Sequence, residues 1–329
     1  MEAEVGAELC FPQLLNSSCR KPALAWPEAL FLHIMLSSIS VLTVALNLLV
    51  IISVSHFRQL HTPTNILLLS LAVSDFLVGL LLMPVEILLN TSCWIFGDYI
   101  CCLYSYVSFI ITSASVGDMV LISVDRYVAI CDPLHYSSRI TERRVKLCVC
   151  LCWLCSVLYS SVFLKDELSQ PGKHNSCYGE CVIFVDFIAG TVDLVLTFIA
   201  PITAIIVLYM QVFAVAVSQA RAVRSQVTSI TLHLSLPLPA KKSELKAART
   251  LGVLVVVFLI CFCPYYGLAL AGDSVISESL SSFVVFLFYF NSCINPLIYA
   301  LFYPWFRKAL KLIVTLQILQ PGSCEPNIL

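Results

Sequence analysis

The sequence predicts an all-α membrane protein: a seven-transmembrane helix bundle followed by a short amphipathic cytoplasmic helix. Three observations carry this expectation. Of the 329 residues, 59% are hydrophobic and 12% charged, with a mean hydropathy of +0.92, which leaves too few charges to cover a soluble domain. Apolar windows long enough to cross roughly 30 Å of hydrocarbon recur at 28–54, 64–89, 99–131, 146–165, 183–218, 247–271 and 279–302. Basic residues also fall on alternate joints. Arg58, Arg139, Arg143, Arg144, Lys146, Arg221, Arg224, Lys241, Lys242, Lys246, Arg249, Arg307, Lys308 and Lys311 lie on one side, against Arg20, Lys21, Lys165 and Lys173 on the other. The positive-inside tendency then puts the N-terminus outside and the C-terminus in the cytoplasm. The net charge of -1 averages over this asymmetry and says nothing about partners.

Three segments follow: an extracellular stretch 1–27, the membrane domain 28–302, and a cytoplasmic helix and tail 303–329. The first is polar and carries Asn16-Ser17-Ser18, a glycosylation acceptor if this end is outside. It has neither a basic n-region nor an apolar h-region, so the first window is expected to act as the targeting signal. The third window is long, and its two ends differ in character. It opens with Cys101 and closes with Asp125-Arg126-Tyr127, and its length implies tilt. Among sixteen cysteines, Cys148, Cys150, Cys152, Cys155, Cys261 and Cys263 sit in apolar windows as small hydrophobes. Cys10, Cys19, Cys93, Cys101, Cys177 and Cys181 sit in polar segments near window ends, where disulfides are allowed if that side is extracellular. Pro237 and Pro239 make 226–240 a loop rather than continuous helix. After residue 303, Pro304 starts an apolar and basic alternation suited to lying on the membrane surface.

Ionisable groups inside spans cost roughly 2.5 to 3.5 kcal/mol on insertion scales and so ask for a functional explanation. Here they are Asp75, Glu86, Asp118, Asp193 and the pair Asp125-Arg126. The pair can form an ion pair that opens to release the arginine, or the arginine can simply snorkel at the interface. Asp75, with Asn47, Ser115, Asn291, Ser292 and Asn295, can form one buried polar cluster, next to the backbone carbonyl that Pro296 frees. Such a cluster suits a small hard cation such as Na⁺, or it is a dry hydrogen-bond network. No other cofactor or metal is expected, and nothing points to nucleic acid. An enzyme is disfavoured because no His-Glu-x-x-His spacing, nucleophile and base arrangement or phosphate-cradling glycine loop is present. A small-solute transporter is disfavoured because no inverted half-segments are found.

Asn47, Asp75, Asp125-Arg126-Tyr127, Trp153, Pro201 with Tyr209, Pro264 and the set Asn295-Pro296 with Tyr299 fall in the seven windows in order. Together they resemble the class A (rhodopsin-like) G-protein-coupled receptors. The closing run from Asn291 to Ala309, the stretch from Leu60 to Asn65, the segment from Asn16 to Cys19 and the loop from Cys177 to Cys181 are similar to the trace amine-associated receptors. The resemblance implies a disulfide from Cys101 to Cys181 and a second from the N-terminal segment to Cys177, with Cys19 favoured over Cys10. It also implies a plasma-membrane location, in sensory-neuron cilia, and a heterotrimeric G protein of the stimulatory or olfactory type that raises cyclic AMP. Asp125, Arg126, Tyr127, Tyr209 and Tyr299 would take part in coupling.

One departure from the family pattern directs the search for a ligand site. Where amine receptors carry an aspartate on the third span, this chain has Ser108. A hydroxyl cannot offset the desolvation of an ammonium, so either the ligand is not an amine or the charge has moved. Asp193, two turns before Pro201 at a similar depth, resembles the relocated aspartate of a subgroup of these receptors and is expected to hold a small amine. A receptor of the same fold with a non-amine ligand, Asp193 being merely buried, is the alternative. By the same resemblance Phe109, Thr112, Thr197, Phe262, Tyr265, Tyr266 and Tyr289 are walls, the aromatics offering cation–π attraction. Phe262 stands where the family usually has tryptophan. Glu86 is expected at the rim in water; facing the cavity, it would favour a diamine over a monoamine. Asp118 is read as structural.

Overall fold

The computed structural model describes residues 8–21, 26–229, 239–271 and 278–320. Its framework consists of α1 (Trp26–His56), α2 (Pro63–Thr91), α3 (Asp98–Cys131), α4 (Glu142–Phe163), α5 (Phe187–Asp193, Leu194–Ile199 and Ala200–Ser229 in unbroken succession), α6 (Pro239–Ala271), α7 (Glu278–Phe302) and α8 (Pro304–Val314). Six of these are long and apolar enough to cross a membrane, and α6 adds a shorter apolar stretch, Gly252–Leu268. Large apolar side chains such as Val162, Phe187, Ile188 and Leu301 point outward and are more than 70% exposed, as a surface solvated by lipid requires.

The helix ends follow from local chemistry. Thr62 accepts a hydrogen bond from the Asn65 amide, Thr141 from Arg144, and Asp186 from both Ile188 and Ala189, satisfying amides that the first turn leaves without partners. Pro63 and Pro304 occupy first helical positions, where a missing N–H costs nothing. Arg307 donates from Nη1 to the carbonyls of Ala300 and Leu301, closing the C-terminus of α7 as it turns into α8. On α8 the residues Trp305, Phe306 and Ala309 are buried against the bundle.

Several helices differ from the apolar windows. α4 begins at Glu142, α5 runs on to Ser229 and α6 begins at Pro239, because a helix continues into water on charged residues that hydropathy excludes; α5 starts only at Phe187, where Asp186 caps it. The expected loop 226–240 is therefore shorter: its first four residues end α5, Pro239 opens α6, and 230–238 lie outside the described residues.

Two π-turns interrupt the spans, at Val78–Leu82 in α2 and at Leu194–Ile199 in α5. Each lies beside a proline, Pro84 and Pro201, whose ring cannot be accommodated by a regular ladder. Met83 N–H donates to Val78 and Ala200 N–H to Val195, one residue further back than in an α-helix. Helix axes approach closely at Gly117, where a β-carbon would stand 2.3 Å from Cys152 Sγ, a small-residue contact typical of membrane bundles.

The two ends of the bundle are built differently. Toward the Asp125–Arg126 end, Phe57, Leu68, Leu71, Met119, Ile122, Phe258 and Tyr299 form one continuous buried core. The other end has a smaller core around Leu82, Ile111 and Tyr289, a cavity, and a cap stapled by Cys10–Cys93, Cys19–Cys177 and Cys101–Cys181. Cys19 therefore bonds Cys177, while Cys10 takes Cys93, a pairing that the sequence reading left unassigned. Gly179, with φ of 110°, brings the loop between Cys177 and Cys181 against Cys10, and backbone bridges Leu9–Arg20 and Ser18–Tyr178 tie the segment down. Asn16 is exposed on it.

Candidate functional site

A cavity of about 200 Å³ opens beneath the disulfide cap, lined by Glu86, Ser108, Phe109, Thr112, Ser113, Asp193, Thr197, Tyr265, Tyr266, Val285, Phe288 and Tyr289. Larger hollows exist within the cap itself, one of about 420 Å³. Those are walled by loop residues near the surface, whereas the 200 Å³ cavity is walled by five spans. α3 supplies one wall, α5 and α6 the opposite one, and α2 and α7 close the side.

Asp193 ends the first α-helical stretch of α5, immediately before the π-turn. Its Oδ1 accepts a hydrogen bond of 2.6 Å from the Tyr159 hydroxyl on α4, while Thr197 Oγ1 donates to its backbone carbonyl at 2.7 Å. Tyr159 was not anticipated from sequence. It lies on a span with no polar cluster, and its stacking with Phe163, which in turn meets Phe109 at 5.0 Å, becomes visible only in the packed bundle. Thr197 and the Tyr266 hydroxyl lie 3.4 Å apart, and Tyr266 stacks on Phe198, so α5 and α6 meet at the floor of the site.

Two expectations are corrected. Glu86 does not stand at the rim in water: it lines the cavity, its Oε1 accepting from Asn90 at 3.1 Å and its Oε2 from the Tyr104 hydroxyl at 3.2 Å. The π-turn in α2 lies one turn before it, and such a re-phasing of the helix face cannot be read from periodicity. Phe262 is not a wall. It is 3% exposed and packs behind Phe288, with ring centroids 4.5 Å apart, and on Phe258 at 4.2 Å. Phe288, together with Val285 and Ser113, takes the lining position instead.

Deeper in the bundle, Asn295 Nδ2 donates to Asp75 Oδ2 at 2.8 Å, and Asn47 Nδ2 donates to the carbonyls of Thr43 and Ser292. Ser115, Asn291 and Ser292 are also buried. Four buried oxygens, Asp75 Oδ1, Asn47 Oδ1, Asn291 Oδ1 and Asn295 Oδ1, meet no donor among the described residues. An unmet buried acceptor costs about 1–3 kcal/mol, and carboxylate and amide oxygens are the donor type that a hard cation prefers. The residues present therefore fit Na⁺. Asp118 has a different fate: its Oδ2 accepts from Ser70 at 2.7 Å, and Ser70 Oγ accepts from Trp153 Nε1 at 3.1 Å, which pins α2, α3 and α4 together.

At the far end of α3, Asp125 is 2% exposed and pairs with Arg126, whose Nε lies 2.9 Å from Oδ2. Thr64 donates to the same oxygen at 2.9 Å and Tyr136 to Oδ1 at 2.8 Å. Thr64 and Tyr136 were absent from the sequence reading, since neither adjoins Asp125 in the chain. Tyr127 is half-buried, and the hydroxyls of Tyr209 and Tyr299 are buried with no partner among the described residues. Just beyond the span, Asp132 accepts from His135 at 2.7 Å and pairs with Arg139 at 3.2 Å. The bond from His135, with the nearby positive charge, holds the Asp132 carboxyl below the usual carboxylate range.

Comparison with known proteins bears on this arrangement. Residues 46–299 match the family described as 7 transmembrane receptor (rhodopsin family). The chain is 35% identical to trace amine-associated receptor 13c of Danio rerio over 98% of its own length and 96% of the relative's. It is 36% identical to trace amine-associated receptor 1 of Mus musculus over 90% and 92%. To trace amine-associated receptor 8a of Rattus norvegicus it is 37% identical over 98% and 96%.

Proposed function

Because the chain belongs to the rhodopsin family of seven-transmembrane receptors, and within it to the trace amine-associated receptors, we propose that it is a receptor for small amines whose ammonium is bound by Asp193. It is a multi-pass membrane receptor and not an enzyme. One observation carries the reading: a carboxylate lines an aromatic-walled cavity with no lysine, arginine or histidine among its described lining residues. A carboxylate in such a place is costly unless a cation joins it, and an ammonium from outside supplies one. Tyr265, Tyr266 and Phe288 add cation–π attraction of about 0.5–2 kcal/mol. A cavity of about 200 Å³ suits a small ligand.

The disulfide cap faces the cell exterior, where thiols oxidise, and the Asp125–Arg126 end faces the cytoplasm. A ligand shifts the balance between two bundle arrangements only by binding one more tightly. The contacts among Thr197, Tyr266 and Phe198 couple cavity occupancy to α5 and α6, whose inner ends would part to let Arg126 leave Asp125. Tyr209 and Tyr299 then support Arg126 against a stimulatory or olfactory G protein that raises cyclic AMP, at the plasma membrane of sensory cilia. Na⁺ would be held by Asp75 with Asn47, Asn291, Ser292, Ser115 and Asn295, where it neutralises the buried carboxylate.

The test is the Asp193→Ala receptor in a cyclic AMP assay against a panel of amines, acids and neutral odorants, with surface delivery measured on an N-terminal tag. Truncating one partner of a buried charge pair costs about 2–5 kcal/mol, so amine potency is expected to fall about 30-fold or more. Retained amine potency at equal surface level, or activation of the wild type by neutral compounds alone, would remove Asp193 from the role.

A further inference from the structure

The cavity contains a second carboxylate, and the reading just given accounts for only one. Glu86 and Asp193 line the same 200 Å³ space, on α2 and α5, with Ser108, Phe109 and Thr112 of α3 between them. Glu86 is oriented by Asn90 and Tyr104, both uncharged. None of the twelve lining residues is basic. Two half-buried acids therefore share a small cavity with no positive charge among its described lining residues. A ligand with one cation would leave one of them uncompensated, and an uncompensated buried charge is the costly arrangement.

We propose that the preferred ligand is a compact α,ω-diamine, bound with one ammonium at Asp193 and the other at Glu86, so that Glu86 selects dications over monoamines. The proposal rests on the assignment of Asp193 above and adds a second anchor to it. Neighbouring helix axes stand about 8–10 Å apart, and α3 lies between α2 and α5. The axes carrying the two acids are therefore roughly two such spacings apart, and both side chains reach inward from them. The gap left for the ligand is shorter than the axis separation by both side-chain lengths, which suits a flexible methylene chain of intermediate length. Tyr289 and Phe288 at the α7 side, and Phe109 at the α3 side, give that chain an apolar bed.

Monoamines and diamines of matched length, from diaminopropane to diaminooctane, would be titrated on the wild type and on Glu86→Gln, Glu86→Asp and Asp193→Asn, each normalised to surface receptor. In the wild type, diamine potency is expected to exceed that of the matched monoamine by tenfold or more, with an optimum inside the series. Glu86→Gln brings this ratio close to one. Glu86→Asp, one methylene shorter, keeps the ratio and moves the optimum to a longer diamine. Asp193→Asn depresses both ligand classes. A ratio unchanged by Glu86→Gln while Asp193→Asn still abolishes amine responses would overturn the second anchor alone. Amine responses that survive Asp193→Asn would instead overturn the reading on which it rests.

Discussion

The two ends of the bundle hold their acids in opposite ways. At the inner end, Asp125 is satisfied by its own chain: Arg126 supplies the countercharge, and Thr64 and Tyr136 donate to its oxygens. At the capped end, Asp193 and Glu86 meet only hydroxyl and amide donors, from Tyr159, Tyr104 and Asn90, and face open space. The same residue class thus forms a closed ionic latch where packing is dense and an incomplete site where packing leaves a cavity. Electrostatic completeness, more than acidity, separates a structural pair from a binding position.

Breaking the inner pair gives the larger expected effect. Asp125→Asn removes the charge that retains Arg126, and disrupting a buried pair costs about 3–5 kcal/mol. Ligand-free cyclic AMP per surface receptor is expected to rise about tenfold or more; an unchanged basal level would show that the pair does not restrain the receptor. A middle effect is expected from Tyr159→Phe at the capped end. A hydrogen bond to a charged group contributes about 1.5–3 kcal/mol in stability measurements, and part of this is recovered when the ligand fills the gap. Amine potency should fall three- to tenfold, whereas a gain in potency would mean that the Tyr159 hydroxyl competes with the ammonium for the same oxygen.

The smallest effect sharpens the comparison by moving outside the bundle. Asp132 also pairs with an arginine, as Asp125 does, but it is partly exposed to water, where ion pairs are screened. Its carboxyl titrates below the usual range through His135 and Arg139. Its contribution to stability is therefore present above the unfolded-state carboxylate range and lost only as pH falls below it. Asp132→Asn is expected to shift the melting temperature of purified receptor by no more than about one degree at neutral pH, with any difference from wild type vanishing in acid. A drop of several degrees would place Asp132 with the buried pair.

Much of this architecture was legible in advance. The helical spans, Asp193 as an acid without a nearby basic residue, and the pairing of Asn295 with Asp75 all follow from residue type and spacing. Tyr159, Thr64 and Tyr136 were not legible, because each meets its carboxylate across a helix boundary. The inward turn of Glu86 and the retreat of Phe262 behind Phe288 were likewise hidden, since the π-turn beside Pro84 and the packing of α6 on α7 set those faces.

By itself the sequence determined that the chain must span a membrane as a helical bundle, because only helices satisfy the backbone of such apolar segments away from water. It also determined which acids would be expensive to bury. Only the tertiary structure decided which of those acids are neutralised from within and which are left facing a void. That choice depends on which helices are neighbours and how each is rotated about its axis, and in this chain prolines and π-turns set the rotation that a regular period would misplace.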